Sequence, residues 1–113
     1  MTLFMTSCMS KNTDIYQEDE IDGYSIEEMD GGTLMLAVSP IAETLFWCPG
    51  AILEEREGAM LVGLVRCHID SECPVDVAAI LHPTRHLVYK IVLPKTHKLI
   101  KLDYRSGAVQ IWP

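Results

Sequence analysis

No run of apolar residues in this chain of 113 approaches the roughly 18 that a membrane-spanning helix needs. A glycine-rich phosphate loop is missing, and so is an HExxH pair, which leaves two common short signatures of nucleotide and zinc-peptidase chemistry unwritten. No nucleophile stands usefully beside a base. Cys67 and His68 are neighbours, but adjacent residues of a strand point to opposite faces. After Gly32 no segment has a helical period, and no internal repeat is present. The expectation from these absences is a single non-enzymatic domain without helices, since a chain of this length builds one core and not two.

Bases are scarce at one end. Residues 1–32 hold eight acids and one lysine, while residues 33–113 hold eight acids and eight Lys or Arg, so the net charge of −7 resides in the first part. Within the neutral part the bases come late: Arg85, Lys90, Lys95, Lys98, Lys101 and Arg105 face only Asp103 between Leu81 and Arg105. This basic stretch has no Arg-rich or aromatic-interleaved signature, and the acidic leader would compete with phosphates for it. Nucleic acid is therefore not an expected partner.

Residues 9–32, MSKNTDIYQEDEIDGYSIEEMDGG, lack a sustained period and read as an acidic arm or tether. Ile15, Tyr16, Tyr24, Ile26 and Met29 are the residues by which such an arm would dock on a domain. Ahead of it, Met5, Thr6, Ser7 and Cys8 resemble the tail of a bacterial lipobox, which implies Cys8 as a lipidation candidate and a cell-envelope location; only LFM precedes them, where a signal peptide carries a longer apolar stretch. The competing expectation is an ordinary cysteine in a cytoplasmic protein.

From Thr33 the pattern turns to short apolar and β-branched runs: TLMLAV, TLFWC, AILEER, AMLVGLVRCHI, VDVAAILH, HLVYKIVL, KLIKLDY and AVQIW, separated by turn residues such as PG, EG, PTR, PKT and SG. Many short strands at regular spacing predict an all-β fold, an antiparallel β-sandwich of immunoglobulin-like build with about seven or eight strands over 33–113.

Loop lengths assign a register, because hairpin partners sum to a constant and side chains alternate with period two. A loop at 83–85 sets Leu81 against Leu87, Ala79 against Tyr89 and Val77 against Ile91 on the core side. One at 94–97 sets Ile91 against Ile100 and Tyr89 against Leu102, leaving Lys90 opposite Lys101 outside. A Ser106-Gly107 turn brings Val109 and Ile111 inward and puts Trp112 beside Lys101. A loop at 68–72 sets Cys67 opposite Cys73, within reach of a disulfide.

Three candidate sites emerge. Cys67 and Cys73 are a disulfide candidate, with Cys48–Cys67 as the competing bridge, a thiolate metal site and buried free thiols as alternatives. His82 and His86, closing the HPTRH hairpin, offer two imidazoles to Zn²⁺ or Cu²⁺. Lys90 and Lys101, like charges placed face to face, predict an outer surface prepared for an anionic partner, with Arg105 near and Trp112 as its aromatic anchor. The function these support is a secreted or cell-envelope interaction module binding a protein or another anion, with a Zn²⁺- or Cu²⁺-binding protein using His82 and His86, or a small enzyme whose site the sequence does not reveal, as the alternatives.

Overall fold

The computed structural model describes residues 14–85, 87–94 and 99–113. Its strands are β1 (Ile21–Glu28), β2 (Leu34–Pro40), β3 (Phe46–Trp47), β4 (Gly50–Arg56), β5 (Ala59–Leu64), β6 (Cys67–His68), β7 (Val77–Leu81), β8 (Tyr89–Leu93), β9 (Leu99–Asp103) and β10 (Ala108–Trp112). Among the described residues the only helical pieces are single 3-10 turns at Glu18–Glu20 and Asp30–Gly32. The chain is all-β, as the short alternating runs predict.

Eight strands form one continuous sheet in the order β1-β2-β8-β7-β4-β5-β9-β10, while β3 and β6 make a separate two-stranded ribbon. The expected division into two facing sheets is not what the pairing gives. The sheet curls nearly into a barrel, mostly antiparallel, with β5 and β9 as its parallel pair. Curling lets one set of alternate side chains fill a single interior: Leu34, Leu36 and Val38 from β2, Ile91 and Leu93 from β8, Val62 and Leu64 from β5, Ile100 and Leu102 from β9.

Period two assigns the faces of β2, β8 and β9, but at the hairpin ends it fails: Leu81 and Val109, expected inward, are exposed, and Val88 and Trp112, expected outward, pack inward, because the neighbours differ from those the loops suggest. The β7–β8 hairpin pairs Ala79 with Ile91 and Leu81 with Tyr89, two residues out of the expected register, because its loop is longer and His82 N–H reaches Val88 C=O at 2.7 Å. Leu81 is consequently exposed at a strand end, Leu87 sits in the loop at φ +61°, and Val88 is buried. A two-residue slip preserves the face; a one-residue slip would have inverted it.

The β8–β9 hairpin does not form. A strand has two edges, and those of β8 are taken by β2 and β7, so β9 lies instead beside β5. Likewise β5 pairs with β4 and β9 rather than with β7. At the last hairpin Gln110 faces Lys101, and an irregularity between Gln110 and Trp112 brings Trp112 opposite Ile100, where it packs on the core. Val109 is part-exposed.

The acidic segment is built into the fold. Residues 21–28 pair with β2 along its whole length, from Ile21 opposite Pro40 to Glu28 opposite Leu34. Upstream, Tyr16 N–H donates to Leu64 C=O and Arg66 N–H to Asp14 C=O, both at 2.9 Å, and Ile15 and Tyr16 are 1% and 2% exposed. Ile15 covers β5 where Gly63 leaves room: a Cβ there would stand 3.3 Å from Ile15 Cγ2. The arm expected over residues 1–32 is therefore, from Asp14 onward, an edge strand and a core plug. Its acids point outward along β1, which is why the segment reads as a solvated tether while Ile15, Tyr16, Ile21 and Ile26 pack and Tyr24 stays exposed.

Candidate functional site

The ribbon of β3 and β6 stands on the sheet beside the N-terminal segment. Phe46 pairs with His68 and Trp47 with Cys67, and Ile69 N–H extends the ladder to Leu45 C=O at 2.9 Å. Two residues on each strand would not hold alone. A disulfide between Cys67 and Cys73, Cα atoms 6.0 Å apart, clips the loop that follows β6. At the other side the chain plunges from exposed Trp47 to fully buried Cys48 and then Gly50, whose backbone passes so close to β7 that a Cβ would overlap the Val77 carbonyl oxygen.

Arg66 ties the ribbon to the N-terminal segment. Its Nη2 and Nε donate to Glu43 Oε2 and Oε1 at 2.6 and 3.1 Å, Nη1 donates to Asp14 Oδ2 at 3.2 Å, and Glu20 Oε2 lies 3.8 Å from Nε. The guanidinium carbon stands 3.6 Å over the centre of the Phe46 ring, which meets His68 edge-on at 5.3 Å. Hydrogen bonding to Glu43 holds the Arg66 pKa above its ordinary value. One base thus gathers three carboxylates and a ring, a geometry that the planar fork of arginine permits and an ammonium does not.

Between this cluster and β8 opens a cleft of about 200 Å³. Four aromatic residues line it, Tyr16, Phe46, Trp47 and Tyr89, with Glu43 as its one carboxylate. Ile41, Ile69 and Leu87 add apolar wall. Leu45, Trp47 and Ile69 stand at the ribbon's surface with 53%, 43% and 55% of their area open, a concentration of apolar surface on so few residues that polar exposure does not explain. The two tyrosines of the cleft and the Cys48 thiol near them are kept protonated. Burial, then the neighbouring Cys48 and Glu43, raises the Tyr16 hydroxyl well above its usual range; burial likewise raises Tyr89 and pushes the Cys48 thiol up to about 12. A thiol so placed is not a nucleophile at neutral pH.

The sequence-predicted sites fare unequally. Cys67 and Cys73 are bonded, and Cys48 is a buried free thiol rather than the partner of Cys67. Lys90 and Lys101 do not face each other: Lys90 lies between Ala37 and Ile80, Lys101 between Leu61 and Gln110, with β7, β4 and β5 intervening. Trp112 packs on the core instead of joining them, so the expected basic, aromatic-edged face of Lys90, Lys101, Arg105 and Trp112 is not assembled. His82 Nδ1 accepts the backbone N–H groups of Thr84 and Arg85 at 3.2 and 3.1 Å and is spent on shaping its loop. His86 and Cys8 lie outside the described residues. Among the described residues no three His, Cys, Asp or Glu side chains come together as metal ligands.

Sequence reasoning missed Arg66, Glu43 and Trp47. Only FW in TLFWC, two aromatics leading a Cys-Pro-Gly turn, marked the place. No family model, no curated protein and no solved structure matches the chain, so the site rests on its own geometry.

Proposed function

We propose that the protein is a small non-enzymatic interaction module of an oxidising compartment, the cell envelope or the exterior, and that it engages its partner at the cleft beside the β3–β6 ribbon. The observation that carries this reading is Trp47: a large aromatic ring left 43% open on a ribbon that a disulfide and an arginine cluster make rigid. Exposed tryptophans on preformed surfaces are the usual anchors of binding energy, because little conformational entropy remains to be lost. The compartment is supported by the Cys67–Cys73 bridge, since cytosolic thiol pools keep such pairs reduced. The curled sheet then serves as the frame, with β2 and β8 supplying the floor.

The test is site-specific photocrosslinking in cells that make the protein. A benzophenone side chain at Leu45 or Ile69 is expected to give a discrete adduct that the same group at Ile80, exposed on β7 outside the cleft lining, does not. Adducts from Ile80 alone would refute the placement.

A further inference from the structure

Taking the cleft as the contact surface, on which this inference rests, we propose that its occupant is the side chain of a lysine or arginine presented by an extended segment of a basic protein partner. Size gives the first argument. Pockets that enclose cofactors or drug-sized molecules run from about 300 to 1,000 Å³. At about 200 Å³ this cleft accommodates one long side chain and little else.

The lining decides which side chain. Aromatic rings present negative faces, and a cation within about 6 Å of such a face is attracted to it, most strongly by tryptophan. Trp47 and Tyr89 line the cleft together with Glu43, whose carboxylate Arg66 holds, and among the described residues no lysine, arginine or histidine shares the wall. The face of Phe46 already carries the Arg66 guanidinium at 3.6 Å, the same interaction made within the chain. Glu43 in the wall and Asp14 and Glu20 beside it surround that single guanidinium, so the cluster keeps a formal net charge of −2 (three carboxylates against one base). An incoming cation meets an excess of negative charge despite Arg66. Ile41 and Leu87 supply apolar surface for the methylene stem that both basic side chains carry. The chain as a whole, at −7, steers a basic partner toward itself. An aspartate or glutamate side chain has neither the stem nor the sign.

The experiment is a backbone-amide NMR titration of the full chain with short acetylated peptides of one design: glycine-lysine-glycine, glycine-arginine-glycine and glycine-norleucine-glycine, the last keeping the stem without the cation. Tetramethylammonium chloride is the small-ion probe. Shifts are expected at Trp47, Ile69 and Tyr89, with the lysine and arginine peptides bound about fivefold more tightly than norleucine. Trp47→Ala should abolish binding of all three peptides. Glu43→Gln, which keeps the shape of the residue, should weaken the lysine peptide about twofold toward the norleucine level, the aromatic faces keeping the rest, and leave norleucine unchanged; a merely structural role for Glu43 would weaken both alike and overturn the electrostatic argument. Norleucine bound as tightly as lysine, yet lost in Trp47→Ala, overturns the cationic occupant and leaves the cleft as an apolar contact. Tetramethylammonium bound as tightly as the lysine peptide overturns the polypeptide source. No shift at the cleft with any peptide at about 10 mM overturns both this inference and the reading beneath it.

Discussion

Arg66 and Glu43 meet through two hydrogen bonds of 2.6 and 3.1 Å across 23 residues of chain, and the same guanidinium reaches Asp14 across 52. The pair joins the two stems of the β3–β6 ribbon, and through Asp14 and Glu20 the same guanidinium ties the ribbon to the segment that plugs β5. With side chains only 21% and 18% exposed, the two charges are shielded enough for their loss to matter. Arg66→Met is expected to cost about 2 kcal/mol, since it leaves three carboxylates facing one another. Arg66→Lys is expected to cost about half as much, because an ammonium restores the charge without the paired geometry. Urea unfolding gives the two values, and hydrogen exchange at the Tyr16 amide, bonded to Leu64, should quicken in both variants; an unchanged midpoint in Arg66→Met would show that the cluster contributes nothing.

The Cys48 thiol sets an alkaline limit. Its pKa in the fold is about 12 against 9.0 ordinarily, because burial disfavours the thiolate. Above pH 9 the unfolded chain releases this proton while the folded chain retains it, so the unfolded state is favoured progressively as pH rises toward 12. The slope is about 1 kcal/mol per pH unit, joined above pH 10 by the buried hydroxyls of Tyr16, Tyr89 and Tyr104, all raised by burial. Stability from pH 7 to 8 is unaffected by this group. In a Cys8→Ser background, Cys48→Ala should flatten the fall between pH 9 and 10 whatever its effect at pH 7. A slope identical with and without Cys48 would contradict its burial as a thiol.

Much of this architecture was legible, and the boundary has a physical cause. Alternation along Leu34–Pro40 and Leu99–Asp103 assigns faces because each strand has one dry side, and the disulfide was within reach because a loop that short brings Cys67 near Cys73 whichever strands flank it. The hairpin neighbours β7–β8 and β9–β10 were legible from their loops, but the other strand neighbours were not. Alternation says which side chains point inward, not beside whom, and the choice of β5 over β8 as partner of β9 depends on edges filled from far away in sequence. The acidic segment misled for a related reason: outward Asp22, Glu27 and Glu28 look the same on an edge strand as on a free tether. Arg66 needed partners from three separate segments, which no local pattern announces.

The β4–β5 turn carries removable strain. Arg56 pairs with Ala59, so the turn is the two residues Glu57 and Gly58, both with positive φ, at 53° and 78°. That is the turn whose twist suits a hairpin, and its first position favours glycine, which has no Cβ to meet the following carbonyl, or asparagine, whose short amide hydrogen-bonds the local backbone, over glutamate. Glu57→Asn is expected to raise stability by about 0.5 to 1 kcal/mol. A rise in Tm of a few degrees checks it, and a fall would mean that the Glu57 side chain stabilises the turn in a way its backbone does not reveal.

The disulfide has separable effects on the whole fold and on the cleft. Closing the seven residues from Cys67 to Cys73 restricts the unfolded chain by about 2 kcal/mol, so Cys67→Ala with Cys73→Ala should lower stability by that order. The bridge also fixes the loop that carries Ile69, which lines the cleft and bonds back to Leu45 beside Trp47. Reduction should therefore loosen the ribbon before the sheet, whose ladders do not involve β6. The two tryptophans separate these events: in a Trp112→Phe background Trp47 alone reports, and in Trp47→Phe the ring against the core reports. Under a dithiol reductant at neutral pH, Trp47 emission should shift to the red and become more accessible to iodide quenching, while Trp112 emission holds until global unfolding. Simultaneous change at both rings would mean that ribbon and sheet unfold as one unit, and the rigidity assigned to Trp47 would then come from the sheet rather than from the bridge.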